Sequence, residues 1–524
     1  MKQHSLHTAF VASIVALGGF LMGFDASVIS GAVKFVEIEF DLNKIQLGWS
    51  VASLAFAATF AMMAAGPLSD RFGRKPILRI AAVLFFVSAL LSALAPTFLT
   101  LVIARMIGGL GVGAALIIAP MYIAEISPAR LRGRMVSINQ LNIVLGISVA
   151  FFTNYLILKL GQSDADWVLP LRMDEWNWRW MLGLEALPAV LYFFCLLLVP
   201  ESPRWLVMQS REAEALGVME RFNPAESARD QISEIRSSVL QKSDSEQSRL
   251  SALFTKPMRM VLLIGVTVAV LQQITGINSV FFYAPMIFEQ SGIGTDASYM
   301  QAVLVGLTNL VFTVLAIALI DKIGRKTLLG LGISGIAVCM FILAYGFGSA
   351  TYTLSSESIE TLPDSIDRTQ LRQVQDNTFE SDLSYKKALT DILGEKAFKE
   401  NESALISSSI NMNPTIILVG ILGFVASFAI SIGPVMWVLF SELFPNRIRA
   451  VAISFVGFIN SAVSFLVQLV FPWELSTIGN AGTFMLYGLF AVAGLAIILK
   501  ILPETKGKSL ECLEQILVKQ PGSA

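Results

Sequence analysis

Apolar and polar positions along the chain separate into long blocks. Runs of about twenty apolar residues match the length an α-helix needs to cross a ~30 Å hydrocarbon core. They recur at 8–31, 47–67, 77–95, 98–124, 135–158, 177–199, 258–289, 299–320, 327–349, 414–442, 449–472 and 480–502. These runs predict an all-α membrane protein with twelve transmembrane helices. Two stretches stay polar. In 203–256 the stretch Arg211-Glu212-Ala213-Glu214-Ala215-Leu216 reads as amphipathic helix. The acid-rich segment 350–412, with Tyr385-Lys386-Lys387-Ala388-Leu389, is expected to form short helices or to be partly disordered.

Basic residues mark one side. Connections after the second, fourth, eighth and tenth runs carry Arg71, Arg74, Lys75, Arg130, Arg132, Arg134, Lys322, Arg325, Lys326, Arg447 and Arg449. Loops 96–97 and 290–298 carry no Lys or Arg. The basic loops and both termini are therefore expected in the cytoplasm, with 350–412 outside and the chain in the cell (inner) membrane. The first run holds Asp25 and lacks an Ala-x-Ala site, so it reads as a retained span rather than a signal peptide.

Composition agrees with this and excludes other classes. The chain is 55% apolar and 15% charged, with mean hydropathy +0.67, whereas a soluble protein carries about 25% charge. A net charge of −1 calls for no nucleic acid. Cys195, Cys339 and Cys512 build neither a disulfide framework nor a metal site. His4 and His7 are the only histidines, and no nucleophile–base set or nucleotide loop occurs. An enzyme, a metal and a cofactor are thus not expected. Gly108-Gly109-x-Gly111-x-Gly113 lies within a span and reads as close helix packing.

The chain repeats itself. Asp70-Arg71-Phe72-Gly73-Arg74-Lys75 recurs as Asp321-Lys322-Ile323-Gly324-Arg325-Lys326. Glu125-Ile126-Ser127-Pro128 recurs as Glu442-Leu443-Phe444-Pro445, and Pro200-Glu201-Ser202 as Pro503-Glu504-Thr505. Two six-helix halves in the same orientation follow, the parallel-repeat plan of the major facilitator fold. The expected divisions are 1–202, a linker of cytoplasmic helices at 203–256, a second half at 257–510 carrying the insertion 350–412, and a tail at 511–524.

Polar side chains inside the spans need a partner or a task. Gln140, Gln272, Gln273, Asn278, Asn309 and Asn460 are all amides, which donate and accept, as a neutral polyhydroxylated ligand requires. Trp437 offers a flat apolar face. The alternative is that the amides only tie helices together. On a straight helix Gln273 and Asn278 would lie ~140° apart; Gly276 between them can break the helix and turn both to one cavity.

The chain resembles the sugar porter family of the major facilitator superfamily, and bacterial D-xylose–proton symporters in particular. The resemblance rests on Gly66-x-x-x-Asp70-Arg71-x-Gly73-Arg74-Lys75, Pro200-Glu201-Ser202-Pro203-Arg204-Trp205, Gln272-Gln273-x-x-Gly276-x-Asn278, Gly433-Pro434-x-x-Trp437 and Pro503-Glu504-Thr505-Lys506-Gly507. It implies a monomer in the lipid bilayer that moves a small neutral sugar by alternating access, together with protons. Gln140, Gln272, Gln273, Asn278, Trp437 and Asn460 match the family's sugar contacts, and Asn309 and Gly433 join them as expected site residues. Two departures stand out: Phe282-Tyr283 replaces a tyrosine pair, and Asn460-Ser461 replaces Gln-Trp, so xylose is not fixed as the sugar.

Three charges lie within spans: Asp25, Arg105 and Glu185. A structural ion pair accounts for Asp25 with Arg105. The resemblance implies more, a switch in which Asp25 takes a proton when Arg105 moves away, with Glu185 as a second carboxylate. It also implies a cytoplasmic gate in which Asp70, Arg71, Arg74, Glu125, Arg132 and Glu201, with Asp321, Arg325, Glu442, Arg449 and Glu504, latch the two halves. The alternatives are a passive facilitator and a sugar sensor; sensors of this fold carry a long tail, and about twenty residues follow Pro503 here.

Overall fold

The computed structural model describes residues 2–128, 132–244, 253–255, 258–363, 365–445 and 448–506. The expected tail 511–524 lies outside the described residues, as do the side chains of Arg132 and Asp321. The first half comprises α1 (Lys2–Glu39), α2 (Lys44–Phe72), α3 (Arg74–Ala93), α4 (Phe98–Ile126), α5 (Arg132–Gly161), α6 (Asn177–Gly183) and α7 (Ala186–Cys195). Three helices follow in the polar linker: α8 (Pro203–Met208), α9 (Glu212–Phe222) and α10 (Ala225–Asp244). The second half begins with α11 (Arg259–Ile274), α12 (Ile277–Phe282), α13 (Ala284–Glu289), α14 (Gly294–Ile323) and α15 (Arg325–Gly348). It resumes after the insertion with α20 (Pro414–Ile430), α21 (Ile432–Leu443) and α22 (Arg449–Ile501).

Ten of the described helical stretches are long and apolar enough to cross a membrane. The twelve expected spans are recovered once two irregularities are resolved. Straight, the 53 residues of α22 would run about 80 Å, but Gly479 at φ 77° and ψ 169° breaks the helix between the last two predicted spans. The sixth span is split into α6 and α7 at Leu184-Glu185. Pro188 has no N–H for the carbonyl of Leu184, which takes Leu187 N at 3.2 Å instead.

The described residues of 350–412 are ordered. They fold into β1 (Thr351–Thr353), α16 (Ser356–Thr361), α17 (Arg368–Leu371), β2 (Thr378–Phe379), α18 (Asp382–Leu393), α19 (Glu395–Ser407) and β3 (Ile410–Asn411). The strands pair antiparallel in the order β2-β1-β3. A separate core of Tyr352, Leu371, Tyr385, Leu389 and Leu405 sits beneath them. This domain caps one end of the bundle; the repeated basic motifs lie at the other, the basic end.

The sequence repeat is a structural repeat. Gly73 and Gly324 join the second span to the third and the eighth to the ninth, at φ 101° and 104°. A Cβ at either would strike the following carboxylate, Glu201 Oε2 at 2.5 Å or Glu504 Oε2 at 2.8 Å. Each of these carboxylates caps the next helix. Glu201 Oε1 accepts from Arg74 N at 3.0 Å, and Glu504 Oε1 from Arg325 N at 2.9 Å.

Candidate functional site

A cavity of about 290 Å³ lies between the two halves, near the lower end of the range for small-molecule pockets. All eight expected ligand residues line it: Gln140, Gln272, Gln273, Asn278, Asn309, Gly433, Trp437 and Asn460. They come from α5 in the first half and from α11, α12, α14, α21 and α22 in the second.

The seventh span brings its amides together by breaking. Gly276 adopts φ 87°, a left-handed conformation that glycine takes without penalty. A Cβ there would lie 2.4 Å from the ring of Tyr487, whose hydroxyl donates to Glu474 Oε2 at 2.7 Å. The turn carries α12 away from the axis of α11. Asn278 then donates to Gln273 Oε1 at 2.8 Å and to Ser464 Oγ at 2.7 Å. Gln273 donates to Gln272 Oε1 and to Asn460 Oδ1, both at 3.2 Å. Asn460 donates to Gln272 Oε1 at 2.8 Å and to the carbonyl of Ala269 at 2.9 Å. Across the cavity, Gln140 and Asn309 make no hydrogen bond to another described residue. The site is thus a connected amide network facing two free amides, all neutral. The Trp437 ring, 41% exposed, forms part of the wall.

Sequence reasoning missed Ser464, Gln468, Thr313 and Met62, which also line the cavity. Asn460, Ser464 and Gln468 recur every four residues, a polar stripe on one face of an apolar helix, and that spacing was the available signal. Both departures acquire a place. Phe282 lines the cavity, whereas Tyr283 turns away, donates to the carbonyl of Gln468 at 3.1 Å and packs on Phe471. Ser461 also faces the cavity, with Met62 Sδ 3.6 Å from its hydroxyl.

Behind the wall lies the charged group. Gly23 and Ala26 of α1 line the cavity, while Asp25 points toward α4. Arg105 NH1 donates to the carboxylate of Asp25 and, at 2.9 Å, to its main-chain carbonyl. Both residues are buried, as is Glu185, which lies within Coulombic reach of both. Gly108 makes the approach possible, because a Cβ there would meet Asp25 Oδ2 at 2.5 Å. Asp25 Oδ2, Glu185 Oε1 and Arg105 Nε and NH2 lack hydrogen-bond partners among the described residues. Buried groups left this way are costly.

At the basic end each half holds its own cage of charges. Arg74 pairs with Asp70 at 2.9 Å and grips both oxygens of Glu125, at 3.0 and 3.1 Å, while Ser202 Oγ donates to Glu125 at 2.5 Å. In the second half Arg325 pairs with Glu442 at 2.9 Å, and Thr505 Oγ1 donates to Glu442 at 2.7 Å. Burial pushes the Glu201 carboxyl up against the pull of backbone N–H donors. At Glu504 four backbone N–H groups overcome burial and hold the carboxyl below its usual range. Arg71 lies over the ring of Phe72, and Arg449 Nε donates to the carbonyl of Phe444. None of these ion pairs crosses between the halves among the described residues.

Contacts between the halves gather instead at the capped end. Lys34 pairs with Glu289 at 3.0 Å and Lys159 with Asp296 at 2.6 Å. Tyr299 donates to the carbonyl of Gly31 at 2.5 Å. Trp49 and Phe56 of α2 pack on Phe465 of α22 with ring centroids 5.3 and 5.2 Å apart.

Comparison with known proteins agrees with this arrangement. The family described as "Sugar (and other) transporter" matches residues 11–361 and 397–517. The arabinose-proton symporter of Bacillus subtilis is 33% identical, over 99% of this chain and 97% of that protein. The glucose transport protein of Synechocystis is 34% identical, over 96% of each. Among solved structures, the inward-open conformation of the xylose transporter XylE from E. coli superposes with a TM-score of 0.73 at 32% identity, covering 97% of this chain and 99% of that one.

Proposed function

The chain belongs to the sugar transporter family, and from that premise we propose that it carries a neutral monosaccharide into the cell together with a proton, by alternating access. The observation that carries the reading is the amide cavity between the halves, set one helix away from a buried Asp25–Arg105 pair. Amides discriminate hydroxyl patterns without demanding charge on the ligand. A relative named for arabinose and proton and another named for glucose support the class while leaving the sugar open.

In this reading the basic end faces the cytoplasm, as the distribution of Arg and Lys favours. The molecule works as a monomer in the inner membrane. Contacts at the capped end hold the outward side shut in the present conformation. The sugar bridges the network of the second half and Gln140 of the first, so its binding biases the closure of the halves. Asp25, back to back with the cavity wall on α1, is ionised while Arg105 holds it and accepts a proton when the helices part. Asp70, Arg71, Arg74, Glu125, Arg132, Glu201, Asp321, Arg325, Glu442, Arg449 and Glu504 serve the cytoplasmic gate, chiefly by making each half rigid.

The test has two parts: counterflow in proteoliposomes with labelled D-xylose, L-arabinose, D-glucose and myo-inositol, and addition of the exchanged sugar outside sugar-free vesicles with pH recorded by a dye outside. Exchange of one of these sugars is expected, and alkalinisation of the outer medium when that sugar is added to the sugar-free vesicles. Sugar entry without alkalinisation would assign a passive facilitator instead, and exchange of none of them would remove the sugar.

A further inference from the structure

The domain at 350–412 belongs covalently to the second half, yet it grips the first. Its polypeptide leaves α15 at Gly348 and re-enters α20 at Pro414. Lys386 Nζ donates to Gln290 Oε1 at 2.6 Å and pairs with Glu402 at 3.0 Å, and Gln290 Nε2 donates to Glu402 Oε1 at 3.1 Å. Asp382 accepts from Asn480 N at 3.1 Å. These contacts stay within the second half. Lys399 does not: its ammonium reaches Asp41 Oδ1 at 3.3 Å and the carbonyl of Leu42 at 3.2 Å, in the turn between α1 and α2, while pairing with Glu395 of its own helix at 2.9 Å. Asp41 sits at φ 46°, a left-handed position that Asp tolerates better than most residues.

The floor beneath this grip is the closure itself. Lys34 of α1 pairs with Glu289 and donates to Thr295 Oγ1 at 2.9 Å, and Thr295 lies 3.5 Å from Ser403 of α19. Glu289, which holds the first half, and Gln290, which holds the domain, are adjacent at the end of α13. The seventh span above its Gly276 break therefore cannot swing outward without carrying the domain off Asp41.

We propose that the 350–412 domain is an outer clamp that holds the cavity closed to the outside, with Lys399 and Asp41 as its cross-half catch. The inference rests on the alternating-access reading. The domain has its own core, separate from that of the bundle. Single exposed ion pairs add little to stability, but a pair made in only one of two conformations shifts the population between them. The family pattern leaves residues 362–396 of the domain unmatched.

The test uses the full chain with its cysteines replaced and a reporter cysteine at Phe281, which lines the cavity and is 5% exposed. A membrane-impermeant thiol reagent is applied from outside. Lys399→Glu, placed against Asp41 and Glu395, raises the labelling rate at least about fivefold, the low end of conformational coupling. Lys399→Glu with Asp41→Asn, which keeps the left-handed turn and removes the repulsion between the halves, brings the rate back toward the parent. Spin labels at exposed Asp164 and Glu357 read the same opening as a longer distance in Lys399→Glu. Parental labelling and parental distance in Lys399→Glu overturn the clamp, as does a double variant no better than the single. Failure of the parent to exchange any sugar counts against the transport reading alone, since accessibility still reports the clamp.

Discussion

Asn278 donates to Gln273 across the break in the seventh span at 2.8 Å, although five residues of unbroken helix would turn them away from each other. The contact exists because Gly276 turns left-handed against the Tyr487 ring. Gly276→Ala must therefore both strain the backbone, by about 1–3 kcal/mol, and displace that ring. Sugar affinity is expected to fall at least tenfold with the protein still expressed, measured by titration calorimetry. Gln273→Ala, which removes the centre of the network, is expected to abolish binding; unchanged affinity in that variant would disprove the site.

Asp25→Asn preserves shape and removes charge. It is expected to lose uphill sugar uptake driven by a pH gradient while retaining counterflow, both assayed in one set of proteoliposomes. Accumulation at the parental level by this variant would end the proposed proton role of Asp25.

The two basic cages are related by repeat but unequal in depth. Arg74 and Glu125 side chains are 3% and 8% exposed, against 12% and 20% for Arg325 and Glu442. Breaking a buried pair strands a charge, at about 3–5 kcal/mol; the more exposed pair is worth about 1–2 kcal/mol. Arg74→Ala should thus lower the unfolding temperature in detergent more than Arg325→Ala does. The reverse order would mean that burial does not set the strength of these cages.

Glu402 gives the clamp a pH signature. Against the upward push of burial, the ammonium groups of Lys386 and Lys44 and the amide of Gln290 hold its carboxyl down to about 2, from an ordinary 4.5. A depressed carboxyl stabilises the fold fully above its unfolded value and loses that contribution as pH falls toward 2. The contribution is roughly 3 kcal/mol. Thermal unfolding between pH 7 and pH 3 should show a drop below about pH 4.5 that is smaller in Glu402→Gln.

Much of this was legible in the residues, for definite reasons. Hydrocarbon thickness imposes long apolar runs, so the twelve spans show through, and buried amides are too costly to occur by chance, so six amides of the cavity could be named, though Gln468 was not. The split at Leu184-Glu185 was hidden because a proline inside a long apolar run can kink a membrane helix as readily as break it, and Glu185 was read for its charge alone. The fold of 350–412 was obscured because its core residues, such as Tyr352, Leu371 and Leu405, are spread over short polar elements without helical period. The expected latch between halves was drawn from charges that recur in both; in the present conformation, whose contacts between halves gather at the capped end, each described pair lies within one half.

Confining each cage to one half has a further consequence for how the chain can be made. A bundle whose helix ends are cross-tied by its own Arg, Glu and Ser or Thr side chains does not borrow rigidity from its twin. Two polypeptides divided between Asp244 and Leu253 and produced together should find each other in the bilayer and restore sugar exchange.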